Sequence, residues 1–386
     1  MIEPADAPPR RVGVVVNPLA GLGGAVGLKG SDGPGIVQEA LARGARPGAG
    51  ARAAAALKML AGTSATIVTA AGAMGADACR AAGLDATTVF TPPPGTTGAA
   101  ETRAAVARFL DEGVDLILFA GGDGTARDIA AIVGTRVPLV GIPAGVKMYS
   151  GVFAVSPVHA GLLAARFLSG DPAAGRTREA EILDIDEDSL RRGRPATRLF
   201  GYGRVPLDGA IQPVKAAMPA SEEAETAALC RVLARAMQPD VLHIVGPGST
   251  MQGLLAAMGI EGTLLGVDLV RDGTLVAADV GEADILAHLD ARAGMGAMRA
   301  HARIHVGIIG GNGCLFGRGN QPISAQVLAR IGPSNVTAVA PPSKLATIGP
   351  QGLFVDTGDP DVDRQFAGYL RIETAPGRST VMRVRG

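Results

Sequence analysis

Val114-Asp115-Leu116-Ile117-Leu118-Phe119-Ala120-Gly121-Gly122-Asp123-Gly124-Thr125 is the stretch on which the reading of this chain turns. An apolar run empties into a glycine turn with one acid at its tip, and a helix-like segment, 126–133, follows. Strand, glycine turn and helix in that order suit a phosphate. Glycines let backbone N–H groups crowd an anion, and the helix N-terminus adds positive potential. The only charged group in the turn is a carboxylate, which repels phosphate. It therefore needs a task of its own, such as taking a proton from an attacking hydroxyl. The plainer alternative is a turn residue, because Asp-Gly is a common turn dipeptide.

Working outward, the first 145 residues alternate β-branched runs with Ala-rich segments. Strands are predicted over 12–16, 65–68, 87–90, 114–120 and 138–142, and helices over 51–60, 76–82, 99–110 and 126–133. Such alternation argues for a parallel sheet with crossover helices, whose ligands gather at the carboxyl ends of the strands. Asn17, Gly121–Thr125 and Pro143–Lys147 each follow a strand directly, so the three loops are expected to meet at one edge. A helix is predicted over 157–168. After Gly170 the texture changes, with strands predicted over 176–186, 198–205, 241–245, 264–270, 274–278 and 304–309 and helices over 222–236, 251–258 and 282–289. The expected organisation is an α/β phosphate-binding domain over 1–145 and a β-rich domain over 146–352.

Composition narrows the function. A chain of 386 residues is long enough for two domains. Zero formal net charge gives no pull toward nucleic acid or anionic membrane, and the absence of Trp leaves base stacking poorly supplied. Lysine is confined to Lys29, Lys58, Lys147, Lys215 and Lys344, which makes Lys29 and Lys147, both in glycine-rich loops, stand out. Cys79, Cys230 and Cys314 form no close pair, which argues against a disulfide framework or a zinc knuckle. Residues 1–11 are proline-rich without an apolar centre, unlike a signal peptide, and no apolar run approaches a membrane span. A cytoplasmic protein is expected.

Gly-Gly-Asp-Gly-Thr at 121–125 resembles the signature shared by NAD kinases, diacylglycerol kinases and sphingosine-type lipid kinases. Val14 to Gly24, with Asn17, Gly21, Gly23 and Gly24, resembles the first strand and loop of that superfamily. Segments 26–33, 141–147 and 310–324 are similar to the bacterial and archaeal branch of ATP- or polyphosphate-dependent NAD kinases, which includes a protein encoded with acetoin catabolism genes. The resemblance covers most of the chain. It implies an NAD kinase-like fold and transfer of a phosphoryl group from ATP or polyphosphate to the 2′-hydroxyl of NAD, with Mg2+ bridging the donor phosphates. Asp123 is then the catalytic residue at the acceptor hydroxyl. Asn17, Gly21, Gly23, Gly24, Lys29, Gly121, Gly122, Gly124 and Thr125 are the candidate phosphate-binding residues, and Asp32 the candidate metal ligand. Solvated surface charge is the rival reading of Lys29 and Asp32.

The acceptor side is expected to use Pro143, Ala144, Gly145 and Lys147, together with Gly248, Ser249 and Thr250. The last three match the Thr-Pro-Thr-Gly-Ser-Thr-Ala-Tyr segment of NAD kinases, whereas Met251 and Gln252 replace its Ala-Tyr. The Asn-Glu pair that grips NAD in the standard enzymes has no clear counterpart between 150 and 240. By the same resemblance the tail, 353–386, is a candidate to complete the first domain, and a partner subunit completes the acceptor pocket in a homodimer or homotetramer. The alternatives are a kinase of another small molecule and a non-catalytic nucleotide-binding regulator. Asp128, Arg318, Asn320 and the acids of 356–359 each have a structural reading beside a ligand-binding one. His301 and His305, at helical spacing, run into a predicted strand.

Overall fold

The computed structural model describes residues 9–24, 26–28, 35–95, 97–145, 148–170, 175–185, 197–207, 220–293, 302–308, 313–348 and 352–386. Two compact units emerge, one from residues up to 21 with 47–214, the other from 22–46 with 215–386. They divide elsewhere than at 145–146.

The first unit is built on five strands: β1 (Arg11–Val16), β2 (Thr66–Ala70), β3 (Thr87–Phe90), β4 (Leu116–Gly121) and β5 (Leu139–Pro143). Their order is β3-β2-β1-β4-β5 and every pairing is parallel. All of β4 and nearly all of β1 is buried. This is why both read as continuous apolar runs: strands covered on both faces have no solvent side to mark with polar residues. The expected parallel sheet is present, and helices Ala49–Leu57, Ala99–Asp111, Asp123–Val133 and Pro157–Leu168 pack with it around one core. Close approach is local and specific, since a Cβ on Gly13 would stand 2.6 Å from the Phe109 ring.

Two strands expected in the β-rich domain belong to this unit instead. β6 (Thr177–Ile185) and β7 (Thr197–Pro206) form an antiparallel pair. Their Ala180, Ile182 and Val205 are buried in the first core, and a strand's own sequence does not say which core its apolar face will join.

The second unit holds β8 (Leu242–Val245), β9 (Asp268–Arg271), β10 (Thr274–Ala277), β11 (Ala302–Gly307), β12 (Cys314–Phe316), β13 (Val336–Val339), β14 (Leu353–Val355), β15 (Gly368–Ala375) and β16 (Arg378–Arg385). Their order is β10-β9-β8-β11-β13-β15-β16-β14-β12. The tail strands therefore complete this sheet and not the first one. β15 and β16 form a hairpin turning at Gly377 (φ 68°), and β15 pairs in parallel with β13. Among the described residues no helix is long and apolar enough to cross a membrane.

Asp128 has a structural partner. It is buried, one helical turn past Gly124, and accepts from Arg103 Nη2 at 2.5 Å. Arg103→Ala leaves that carboxylate without its cation, and the expected loss is about 1–3 kcal/mol of unfolding free energy in urea titration, with little change in ligand affinity. A variant as stable as the wild type would show that the pair contributes nothing to folding.

Candidate active site

The strand order reverses between β1 and β4, and in such sheets the crevice at that point receives ligands. Three loops meet there. Asn17, just past β1, donates its backbone N–H to Ala120 O on β4 (2.9 Å) and its amide Nδ2 to Thr125 Oγ1 (3.0 Å). Its Oδ1 accepts from Leu19 N at 3.1 Å. The side chain thus ties the first loop to the helix that starts at Asp123. Beyond β5, Ala144 and Gly145 both donate to Gly121 O at 3.0 Å, and Arg52 donates to Pro143 O. Gly21 (φ 73°) closes the ring, because a Cβ there would stand 2.1 Å from Ala144 O.

The turn itself has two demands on glycine, and they differ. A Cβ on Gly121 would lie 2.5 Å from Thr125 Cβ, so this position is sterically filled by the helix. Gly122 sits at φ −119° and ψ −166°, extended backbone open to any residue. It is the N-cap residue of the helix, where no side-chain cap forms among the described residues.

Asp123 is buried at the first position of that helix. Tyr149 N–H donates to its Oδ2 (2.6 Å), while Ser150 N–H (2.9 Å) and Ser150 Oγ (2.7 Å) approach its Oδ1. Burial pushes the carboxyl up to about 7 despite the opposing pull of the Ser150 and Tyr149 hydrogen bonds, and Asp184 adds a smaller push in the same direction. A carboxyl titrating near neutrality is poised for proton transfer in a way an ordinary aspartate is not. The same burial raises the Tyr149 phenol, helped by the negative charge of Asp123.

This has a consequence for stability. The folded protein holds the Asp123 proton up to about pH 7, whereas the unfolded chain releases it near ~4. The folded state binds more protons in between, so the contribution is fully present below the lower value and is lost as pH rises through the higher one. Wild type is expected to lose roughly 2–4 kcal/mol relative to Asp123→Asn between pH 4 and 8. Urea unfolding of both proteins at several pH values tests this, and parallel pH dependences would contradict it.

The remaining predicted residues fall in three groups. Gly23 and Gly24 lie in the second unit, where Leu28 N donates to Gly23 O (2.9 Å) and a Cβ on Gly24 would meet the Gln321 side chain at 3.1 Å. Gly248, Ser249 and Thr250 open the helix Ser249–Ala257 after β8. Thr250 is buried and does not cap the helix, and Gly248 takes φ 112°. Met251, which stands where the NAD kinase pattern has Ala, is fully buried in the core of that unit. Lys29, Asp32 and Lys147 lie outside the described residues. No cluster of three potential metal-ligating side chains occurs among the described residues, and Mg2+ commonly takes only one or two carboxylates beside substrate phosphates.

Other motifs resolve structurally. Asn320 donates to Leu315 O (2.8 Å) and accepts from Gly317 N (3.2 Å), closing its own turn. Asp359 caps the helix Pro360–Gln365. His305 lies in β11 against His243 of β8, Nε2 to Nδ1 at 2.9 Å, and burial drives it down to about 3. His301 is outside the described residues. Sequence reasoning missed Tyr149 and Ser150. The faint signal is a short polar pair directly after the third glycine loop, with nothing in the spacing to aim it at Asp123, 26 and 27 residues earlier.

The ATP-NAD kinase N-terminal domain matches residues 12–172, and the ATP-NAD kinase C-terminal domain matches residues 239–384. Together they span most of the chain, which belongs to the NAD kinase family. No curated protein matches it. Two solved structures from Bacillus anthracis str. Sterne, both described as diacylglycerol kinase, are similar at 15% and 16% identity with TM-scores of 0.22. Each match covers 46% of this chain, and this chain spans about half the length of those proteins, 46% and 48%. Likeness at that level leaves the fold to rest on the sheet orders and the two domain matches.

Proposed function

We propose that this member of the NAD kinase family moves a phosphoryl group from ATP or polyphosphate to the 2′-hydroxyl of NAD. The observation that carries the reading is Asp123: a buried carboxyl at the switch point of a parallel sheet, titrating at about 7 and held by three donors. Ionised, it takes the proton of the acceptor hydroxyl as the new O–P bond forms and the bond from phosphorus to the donor oxygen breaks. The transition state of such transfers is loose, so positioning and charge neutralisation matter more than base strength. The N–H groups of Asp123, Gly124 and Thr125 at the uncapped helix N-terminus serve the transferred phosphoryl oxygens. Gly21 and Asn17 hold the first loop against them. Lys29, Lys147 and Asp32 are proposed to add charge to the phosphate and metal side. Magnesium, when bound, neutralises donor phosphates.

The test is formation of NADP from NAD with Mg2+ and each donor in turn. NADP with ATP supports the reading, and none with either donor rejects it.

A further inference from the structure

Ser150 is fully buried, and its hydroxyl oxygen faces three groups from two elements. Asp123 Oδ1 and Leu183 O each lie 2.7 Å away, and Leu183 N lies 3.0 Å away. The approach of both Leu183 backbone groups has a local cause. The β6–β7 register shifts between Ile182 and Leu183, and Gly151 N–H donates to Glu181 O (2.9 Å), so residues 150 and 151 follow the edge of β6. A hydroxyl has one proton to give and two lone pairs. Leu183 N–H occupies one lone pair. One proton and one lone pair are left for two oxygens.

The two charge states of Asp123 use that remainder differently. With the carboxyl protonated on Oδ1, it donates to Ser150 Oγ, and the Ser150 proton points to Leu183 O. Every contact is then a hydrogen bond of ordinary length. With the carboxyl ionised, both facing oxygens are acceptors, and the Ser150 proton serves only one. Turning it to Oδ1 gives the stronger, charge-assisted bond.

We propose that Ser150 is a positioning residue for Asp123, its hydroxyl turning from Leu183 O to Asp123 Oδ1 when the carboxyl releases its proton to water. The turn holds the ionised carboxylate in place and leaves Oδ2, which accepts from Tyr149 N–H, as the atom that takes the proton of the acceptor hydroxyl. This rests on the reading of Asp123 as the base. The other titratable and charged groups around it are Tyr149 on the same loop, Asp184 on β6, and Arg127 on the helix that Asp123 begins, which pairs with Asp184 at 2.8 Å. The neighbouring Lys147 lies outside the described residues.

The experiment is a pH titration of the full-length protein labelled with 13C at the aspartate carboxyl, followed by NMR without substrate. The Asp123 signal is the one missing in Asp123→Asn. Its midpoint in wild type is expected near 7. Ser150→Ala removes the donor, and the midpoint is expected to rise by about one pH unit or more. Ser150→Cys, close in volume and a weak donor, is expected to rise similarly and serves if the alanine variant does not fold. Ser150→Thr keeps the hydroxyl and is expected to stay close to wild type. An unmoved midpoint in the alanine or cysteine variant overturns the proposal, as does a threonine variant that shifts as far as alanine. The acid limb of kcat is expected to move with the midpoint. A shifted midpoint in a protein that makes no NADP rejects the phosphotransfer reading and leaves the coupling standing. Normal turnover with an unmoved midpoint rejects the coupling alone.

Discussion

Asp123→Asn is expected to lower turnover by roughly 10²–10⁴-fold, the usual scale for loss of a general base, while nucleotide affinity changes little. Asparagine keeps the shape of the side chain, and its oxygen still accepts from Ser150 N–H and Oγ. Its NH2 group then faces Tyr149 N–H, so one hydrogen bond is lost and the proton acceptor with it. The variant is expected to fold, to bind donor and acceptor, and to transfer slowly. Steady-state NADP formation beside calorimetric titration of each ligand measures both halves. Wild-type turnover would reduce Asp123 to a turn residue, and equal loss of binding and turnover would make it an anchor of the loop.

Gly21→Val is expected to have the largest effect on the frame of the site. The position has φ 73°, and a Cβ would stand 2.1 Å from the Ala144 carbonyl oxygen, a backbone atom that cannot rotate aside. The left-handed conformation costs about 1–2 kcal/mol for any L side chain, and pushing the first and third loops apart adds to it. A loss of roughly 2–4 kcal/mol of stability and at least ~10-fold in turnover is expected, because small displacements of positioning groups are felt strongly in the rate. Gly83→Val separates the two causes. That glycine has the same φ (73°) but meets nothing within 4 Å, so it reports the backbone term without the clash. If urea midpoints of the two variants fall equally, the contact with Ala144 is unimportant. If Gly21→Val turns over normally, the three loops do not form one site.

The parts of this site that were legible in the sequence are those carried by local pattern. β1 and β4 are buried strands that run into glycine-bearing loops, and Asp123 interrupts an otherwise uncharged turn. Parallel topology then brings Asn17, Gly121 and Ala144 to one edge without any knowledge of contacts. Of the loop glycines read as phosphate ligands, Gly21 has positive φ and Gly122 is extended, a difference the glycine spacing does not carry. Ser150 was illegible because its contacts to Asp123 and Leu183 span 27 and 33 residues, and two of them use backbone N–H groups that carry no residue identity. β6 and β7 were read correctly as strands and placed in the wrong unit, and the tail, a candidate to complete the first domain, completes the second sheet. Apolar periodicity marks a buried face and is silent on the core that buries it.

The most direct measurement is the product of the purified protein with NAD, Mg2+ and either ATP or polyphosphate, assayed for NADP as a function of pH. The account predicts NADP formation with a rate that rises through pH 7 as Asp123 ionises, and a roughly 10²–10⁴-fold slower rate in Asp123→Asn. Folded protein that yields no NADP from either donor would contradict it, as would NADP formation at the same rate in the Asp123→Asn variant.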